Sequence, residues 1–200
     1  MTTPTPDPLD LEVRALIDAG EIDRATAETL RTYGPELIGW LCSILPNEAD
    51  AHEAFSWMSE ELWKSLVRWD SRCSMRTWCY MIARHATVRI RTQPRRQHEV
   101  LVSQVPSIAH AVTHVWNTSR ANAVRVQDVY VEIRRTLDDD DQTLLVLRVD
   151  RSLAWRDIAL VLLGEGASGP DISTKAASLR KQFERVKERL RTLAAQKLRE

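Results

Sequence analysis

Residues 47–67 read NEADAHEAFSWMSEELWKSLV, and the spacing of their apolar positions decides the fold class. Ala51, Ala54, Phe55, Met58, Leu62 and Leu66 recur on a 3.6-residue period, which stacks them along one face of an α-helix. Asn47 supplies a side-chain oxygen to cap that helix, with Asp50 three positions on. The chain has only six glycines, and turn-flanked alternation of β-branched residues is scarce. The reading is all-α.

Outward from this helix the same pattern repeats. Residues 69–74 interrupt it, and a further helix is expected from Met75 to Thr92, ended by Pro94. Within it Trp78 and Ile82 fall at i and i+4, so Trp78 reads as core. Upstream, Leu37, Ile38, Leu41 and Leu45 mark a helix that starts at Pro35 and is broken by Pro46-Asn47. Tyr33-Gly34-Pro35 is expected to separate it from an acidic helix, Asp23 to Thr32. A helix from Asp10 to Ala19, stopped at Gly20, and a disordered proline-rich tail over 1–8 precede that.

Residues 93–123 lose periodicity and contain Pro94 and Pro106, which suits a flexible linker with a transient helix around Ile108 to Trp116. Val126, Val129, Tyr130, Ile133 and Leu137 then resume a helical stripe. Asp138 to Asp141 read as a turn and N-terminal cap for a helix Gln142–Val149. Trp155, Ile158, Ala159 and Leu162 form a short amphipathic helix, and 164–170 a turn. A long helix follows from Ser173, with Ala176, Leu179, Phe183, Val186, Leu190 and Leu193 on its stripe. The expected architecture is two small helical domains joined by a flexible linker. Its segments are an N-terminal extension 1–32, a first domain 33–92, a linker 93–123 and a second, helix-turn-helix domain 124–200.

The formal net charge of zero hides a polarity along the chain. Residues 1–61 hold three bases and thirteen acids, 3 − 13 = −10, whereas 173–200 hold nine bases and three acids, 9 − 3 = +6. Local fields of this size matter for binding polyanions more than the overall balance does. Three cysteines without a CxxC argue against a disulfide framework and fit a reducing cytoplasm. No basic, then apolar, leader opens the sequence, and no apolar run spans a bilayer. Catalysis finds no support: Cys73, Cys79, His52 and His85 lack zinc spacing, Asp138–Asp141 lacks the alternation of a calcium loop, and no phosphate-binding glycine loop occurs. No metal, cofactor or enzymatic activity is expected.

Three surfaces are candidates for binding. Trp57 lies off the apolar stripe, ringed by Glu53, Glu60 and Glu61, a composition suited to a protein interface with a charged rim. From Arg84 to Arg96 there are five arginines and no acid. Arg84, Arg91 and Arg95 share one helical face, and such a face neutralises phosphates, with Arg89 and His85 as further candidates in the same stretch. Trp69 and Tyr80, with Trp78 as a weaker candidate, offer flat surfaces for unstacked bases. On the last helix Lys175, Ser178, Arg180, Lys181, Gln182 and Arg185 lie mostly off the core stripe, and arginine, lysine and glutamine suit base edges in a major groove.

Two stretches resemble the sigma-70 family of bacterial RNA polymerase initiation factors, in its small extracytoplasmic-function subgroup. The first runs from Tyr33-Gly34-Pro35-Glu36-Leu37 through Asn47–Glu53 and Glu61-Leu62-Trp63 to Trp69–His85, whose Arg76-Thr77-Trp78-Cys79-Tyr80-Met81-Ile82-Ala83-Arg84 closes it as the family's region 2 closes. The second runs from Leu137 through Gln142–Arg148 and Leu153–Ala159 to Leu179–Arg191, and is similar to region 4. Ser56, Trp57 and Ser59 stand where region 2 usually has glutamine, an acid and phenylalanine, and the turn in region 4 is longer than usual.

The resemblance implies that Asp50, Glu53, Trp57, Glu60 and Glu61 dock on the β′ clamp helices of core RNA polymerase. It implies that Trp69, Ser71, Arg72, Ser74, Arg76, Arg84, His85, Arg89 and Arg91 hold the non-template strand of the −10 element, with 71–75 forming a pocket for a flipped base. The helix from Ser173 would read the −35 element, its domain would touch the β flap, and an anti-sigma factor is expected as a regulator. Two other readings stay open: a helix-turn-helix regulator without polymerase docking, and a decoy for an anti-sigma factor.

Overall fold

The computed structural model describes residues 7–92, 106–122 and 137–197, and all regular structure among them is helical. The chain divides into two compact units, Met1–Val124 and Arg125–Glu200. In the first, α1 spans Pro8–Asp18, α2 Ile22–Ile44, α3 Glu48–Ser65, α4 Met75–Thr92 and α5 Pro106–Asn122. A single 3₁₀ turn, Leu66–Arg68, follows α3.

Local chemistry explains most of the boundaries. Asp7 Oδ1 accepts the Leu9 N–H at 3.0 Å and caps α1 two residues earlier than the apolar pattern suggests. At the other end Gly20 adopts φ +78°, and the N–H groups of Gly20 and Glu21 return to the Ile17 and Leu16 carbonyls. This paired closure needs a left-handed residue, which glycine supplies without a Cβ clash. Asn47 caps α3 as its spacing predicts, its Oδ1 accepting the Asp50 N–H at 2.8 Å. The stripe Ala51, Ala54, Phe55, Met58, Leu62 and Leu66 is almost wholly buried.

The expected break at Tyr33-Gly34-Pro35 does not occur: α2 runs through it, with Pro35 inside the helix. An internal proline removes one N–H and costs about 3 kcal/mol. Here Leu30, Tyr33, Leu37, Ile38, Trp40 and Leu41 are buried on both sides of it. At ~1.5–3 kcal/mol for each fully buried large side chain, a continuous helix outweighs a broken one. Residues 22–32, read as part of an extension, are therefore the first turns of the central helix.

Residues 106–122, read as linker, form α5 and pack on α2. Ile108, Ala111 and Val115 turn inward and are essentially inaccessible. The seat for α5 is Gly34: a Cβ built there would stand 2.7 Å from Val115 Cγ2 and 2.9 Å from Cγ1. The transient helix expected around Ile108 to Trp116 is thus a packed element of the first unit, which local sequence does not reveal because its packing partner lies some eighty positions upstream. The expected stop at Pro94 and most of the expected stripe Val126–Leu137 fall outside the described residues.

In the second unit α6 spans Asp139–Leu145, a π-turn Val146–Asp150, α7 Trp155–Leu163 and α8 Gly169–Lys197. Asp138 caps α6, its Oδ1 accepting the Asp141 N–H at 2.8 Å, but Asp139–Asp141, expected as a turn, are already helical and the helix expected to reach Val149 ends at Leu145. The turn after α7 is shorter than the sequence suggests, since α8 starts at Gly169. Ser168 Oγ accepts the Asp171 N–H at 3.3 Å, and Pro170 sits in the first turn, where its missing N–H costs nothing. Ala176, Leu179 and Val186 are buried along α8. Phe183 and Leu190 close over Leu137, Leu145 and Val186.

Candidate nucleic-acid interface

On α3, Trp57 is half-buried and carries the Arg89 guanidinium over its ring, 5.4 Å from the centroid. A contact of this kind contributes about 0.5–1 kcal/mol at an exposed site. It joins two residues that the sequence assigns to different surfaces, one to a protein partner and one to DNA. Glu60 pairs with Lys64, and Glu61 lies 3.7 Å from Arg68. Part of the expected acidic rim is therefore already balanced. Glu53 and Asp50 are partly exposed in the first half of the helix, Asp50 Oδ2 accepting from Asn47 Nδ2 at 2.8 Å.

The solvent face of α4 is basic. Arg84 and Arg89 are partly exposed, His85 and Arg91 exposed, and α4 contains no acid over its eighteen residues. Arg91 also ties the face to the fold, its Nη2 donating to the Ile44 carbonyl at 2.7 Å and so closing the last turn of α2. Arg95, placed on this face by spacing, lies outside the described residues.

The flat surfaces expected for bases are not surfaces. Trp69 and Tyr80 are 1% and 0% exposed. The Trp69 indole is folded inward with Nε1 donating to the Cys73 carbonyl at 3.0 Å, and Tyr80 meets Trp40 edge-on at 5.6 Å. Neither ring can stack on a base without dismantling the core. Trp78 is buried, as its spacing with Ile82 predicts. Burying large aromatics in so small a unit stabilises it more than leaving them for a ligand.

Arg76 is also engaged. Its Nε and Nη2 reach Glu36 Oε1 and Oε2 at 2.7 and 2.9 Å, a two-pronged bridge from α4 to α2. The paired carboxylate holds the guanidinium even more firmly protonated. Ser74 serves as a cap for α4, its Oγ accepting the Thr77 N–H at 3.2 Å. What the 69–74 segment does present is Asp70, Ser71 and Arg72. Ser71 adopts φ +62°, and Arg72 is 81% exposed with Nε 2.5 Å from Asp70 Oδ2.

Sequence reasoning missed the residues that fasten this segment. Asp10 Oδ1 accepts the Met75 N–H at 2.9 Å, and Arg14 Nη1 donates to the Trp69 carbonyl at 2.8 Å. Burial pushes the Asp10 carboxyl up, partly offset by that backbone N–H. No local signal connects positions 65 and 55 residues apart.

In the second unit Ser178, Arg180, Lys181 and Arg185 are exposed on α8, and Lys175 partly so. Lys175, Ser178, Lys181 and Arg185 follow one face at three- and four-residue steps. Glu184 and Glu188 are drawn to Lys187 and Arg191 at 2.8 and 3.2 Å, and among the described residues no carboxylate reaches Arg180, Lys181 or Arg185. Gln182 is different: its Nε2 donates to Asp141 Oδ1 at 2.7 Å and fastens α8 to α6. It belongs to the scaffold rather than to the exposed face. Trp155 on α7 meets Phe183 at 5.5 Å, and Arg148 and Arg180 stand 4.7 and 6.0 Å from its ring.

Among the described residues no group of three or more His, Cys, Asp or Glu side chains is placed to hold a metal ion. Among the same residues no helix is long and apolar enough to cross a membrane. No curated protein and no solved structure matches the chain. Residues 29–97, from within α2 past the end of α4, match the family model Sigma-70 region 2. That segment holds the acidic helix, the Trp69–Ser74 loop and the basic face together, and it is to Sigma-70 region 2 that this part of the chain is similar.

Proposed function

We propose that the protein is a sigma factor of the extracytoplasmic-function type. It would bind core RNA polymerase and direct promoter recognition and melting, without chemistry of its own. The observation that carries this reading is the match of residues 29–97 to Sigma-70 region 2. The acid-free α4 face fits such a role physically. Arg84, Arg89 and Arg91 present positive charge to a phosphate backbone, with His85 as a polar neighbour, which gives affinity without reading sequence.

In this reading the α3 surface around Glu53, Trp57, Glu60 and Glu61 docks on the β′ clamp helices. The Ser71–Arg72 tip and the α4 face hold the non-template strand at −10. The second unit, through Lys175, Ser178, Arg180, Lys181 and Arg185, meets the −35 duplex and lies near the β flap. An anti-sigma factor would act by covering one of these surfaces.

The test is co-purification with core polymerase followed by run-off transcription on promoter libraries. The reading requires promoter-dependent transcripts that core enzyme alone does not make. A protein that shifts duplex DNA yet never joins core enzyme would be a helix-turn-helix regulator, and one that does neither would fit a decoy.

A further inference from the structure

The first helix makes polar bonds whose targets are unusual for a helix that only fills a groove. Its apolar seat is provided by Val13 and Leu16, both buried, and Tyr33 Oη donates to Asp7 Oδ2 at 3.0 Å just before the helix. These contacts dock the helix itself. Asp10 and Arg14 do something else, because both reach the backbone of one short segment. Arg14 takes the Trp69 carbonyl where the segment leaves the 3₁₀ turn, and Asp10 takes the Met75 N–H where α4 begins.

We infer that α1 is a positioning element for the Trp69–Ser74 loop, with Asp10 and Arg14 holding its two ends so that Ser71 and Arg72 are presented to the promoter strand in a fixed place. This deepens, and rests on, the reading of the chain as a sigma factor.

The loop needs such support. It contains a non-glycine residue in the left-handed region, Ser71, whose backbone persists only when its surroundings over-determine it. Within the loop Trp69 Nε1 donates to the Cys73 carbonyl, and Asp70 accepts the Arg72 N–H at 3.1 Å and pairs with its side chain, bonds made at the surface and so weak. The first N–H groups of α4 are orphan donors. Ser74 Oγ satisfies that of Thr77, and Asp10, from another helix, satisfies that of Met75. Arg14 is itself steadied by Asp18, 3.2 Å from its Nε. A loop ordered before the strand arrives avoids the entropic cost of being ordered by it, and that benefit appears in DNA engagement rather than in polymerase docking.

The experiment uses the full chain with core polymerase on a promoter series that varies single bases of the −10 non-template strand. Open-complex formation is read by permanganate reactivity, and core-polymerase affinity is measured in parallel. The double variant Asp10→Ala with Arg14→Ala is expected to lose about tenfold in its preference for the best base, with core affinity unchanged. Asp10→Asn, whose Oδ1 still accepts the Met75 N–H, is expected to keep the wild-type preference. A purely structural role for α1 would lower thermal stability and core affinity and leave the ratio between promoters alone, which overturns the inference. If the wild-type chain opens no promoter with core enzyme, the sigma-factor reading falls and takes the inference with it. If wild type opens promoters and the double variant discriminates equally well, the inference alone falls.

Discussion

Gly34→Ala is the most exacting perturbation available, because opposite effects of known size meet at one atom. The new methyl would stand 2.7 and 2.9 Å from the two Val115 γ-carbons, well inside the usual carbon–carbon contact of roughly 3.5–4 Å. Valine is stiff at χ1 and cannot swing aside, so α5 must lift or α2 must bend. Overpacking of this kind costs about 1–3 kcal/mol. Against it, alanine is a better helix former than glycine by about 1 kcal/mol inside α2. The net expectation is a loss of about 0–2 kcal/mol. The sign becomes decisive in a second background. Val115→Ala removes both γ-carbons from a buried site, at a cost of ~1–3 kcal/mol on its own. With them gone, Gly34→Ala should turn neutral or stabilising by up to about 1 kcal/mol. Urea denaturation followed by tryptophan fluorescence reads this directly. Six of the seven tryptophans (Trp40, Trp57, Trp63, Trp69, Trp78 and Trp116) belong to the first unit, leaving only Trp155 in the second. If Gly34→Ala destabilises by the same amount with and without the valine, α5 does not sit on Gly34 and the packing argument is wrong.

Two further outcomes follow from the polar contacts. Arg76→Ala leaves Glu36 partly buried without its two-pronged partner and should cost about 1–3 kcal/mol. Removing both charges together, as Glu36→Leu with Arg76→Met, should recover much of that in the same denaturation assay, and strictly additive losses would contradict the bridge. Asp10 is held above the usual carboxylate range by burial, so the folded state binds its proton more readily than the unfolded chain does. Its contribution is therefore fully present below the unfolded pKa and is lost as pH rises through the folded value. Asp10→Asn should flatten that decline on the acid side of a stability–pH curve, and an unchanged slope would show that the carboxyl is not desolvated.

Two kinds of residue differ in how far their role follows from neighbours in sequence. Helices α3, α4 and α7 and the core stripe of α8 were legible because a 3.6-residue apolar period and an adjacent cap are local signals, carried by residues such as Phe55, Met58, Asn47 and Leu179. The basic face of α4 was legible for the same reason, since charge on one side of a helix follows from spacing alone. The burial of Trp69 and Tyr80 was not, because an aromatic on a helix or loop reads equally well as core or as platform until its neighbours are known. Gln182 and Arg76 likewise carry the right chemistry for a nucleic acid, yet spend it on Asp141 and Glu36, each about forty positions away.

By itself, then, the sequence determined an all-helical chain, the phase of most of its helices, and where positive and negative charge concentrate. These depend on neighbours within a few positions. Tertiary structure alone decided that Pro35 stays inside α2, that α5 folds back onto Gly34, and that Asp10 and Arg14 grip a loop more than fifty residues downstream. The physical reason is range: burial and hydrogen bonds between distant segments exceed the local preferences of proline, glycine and loop, and no sequence window short enough to scan contains both partners.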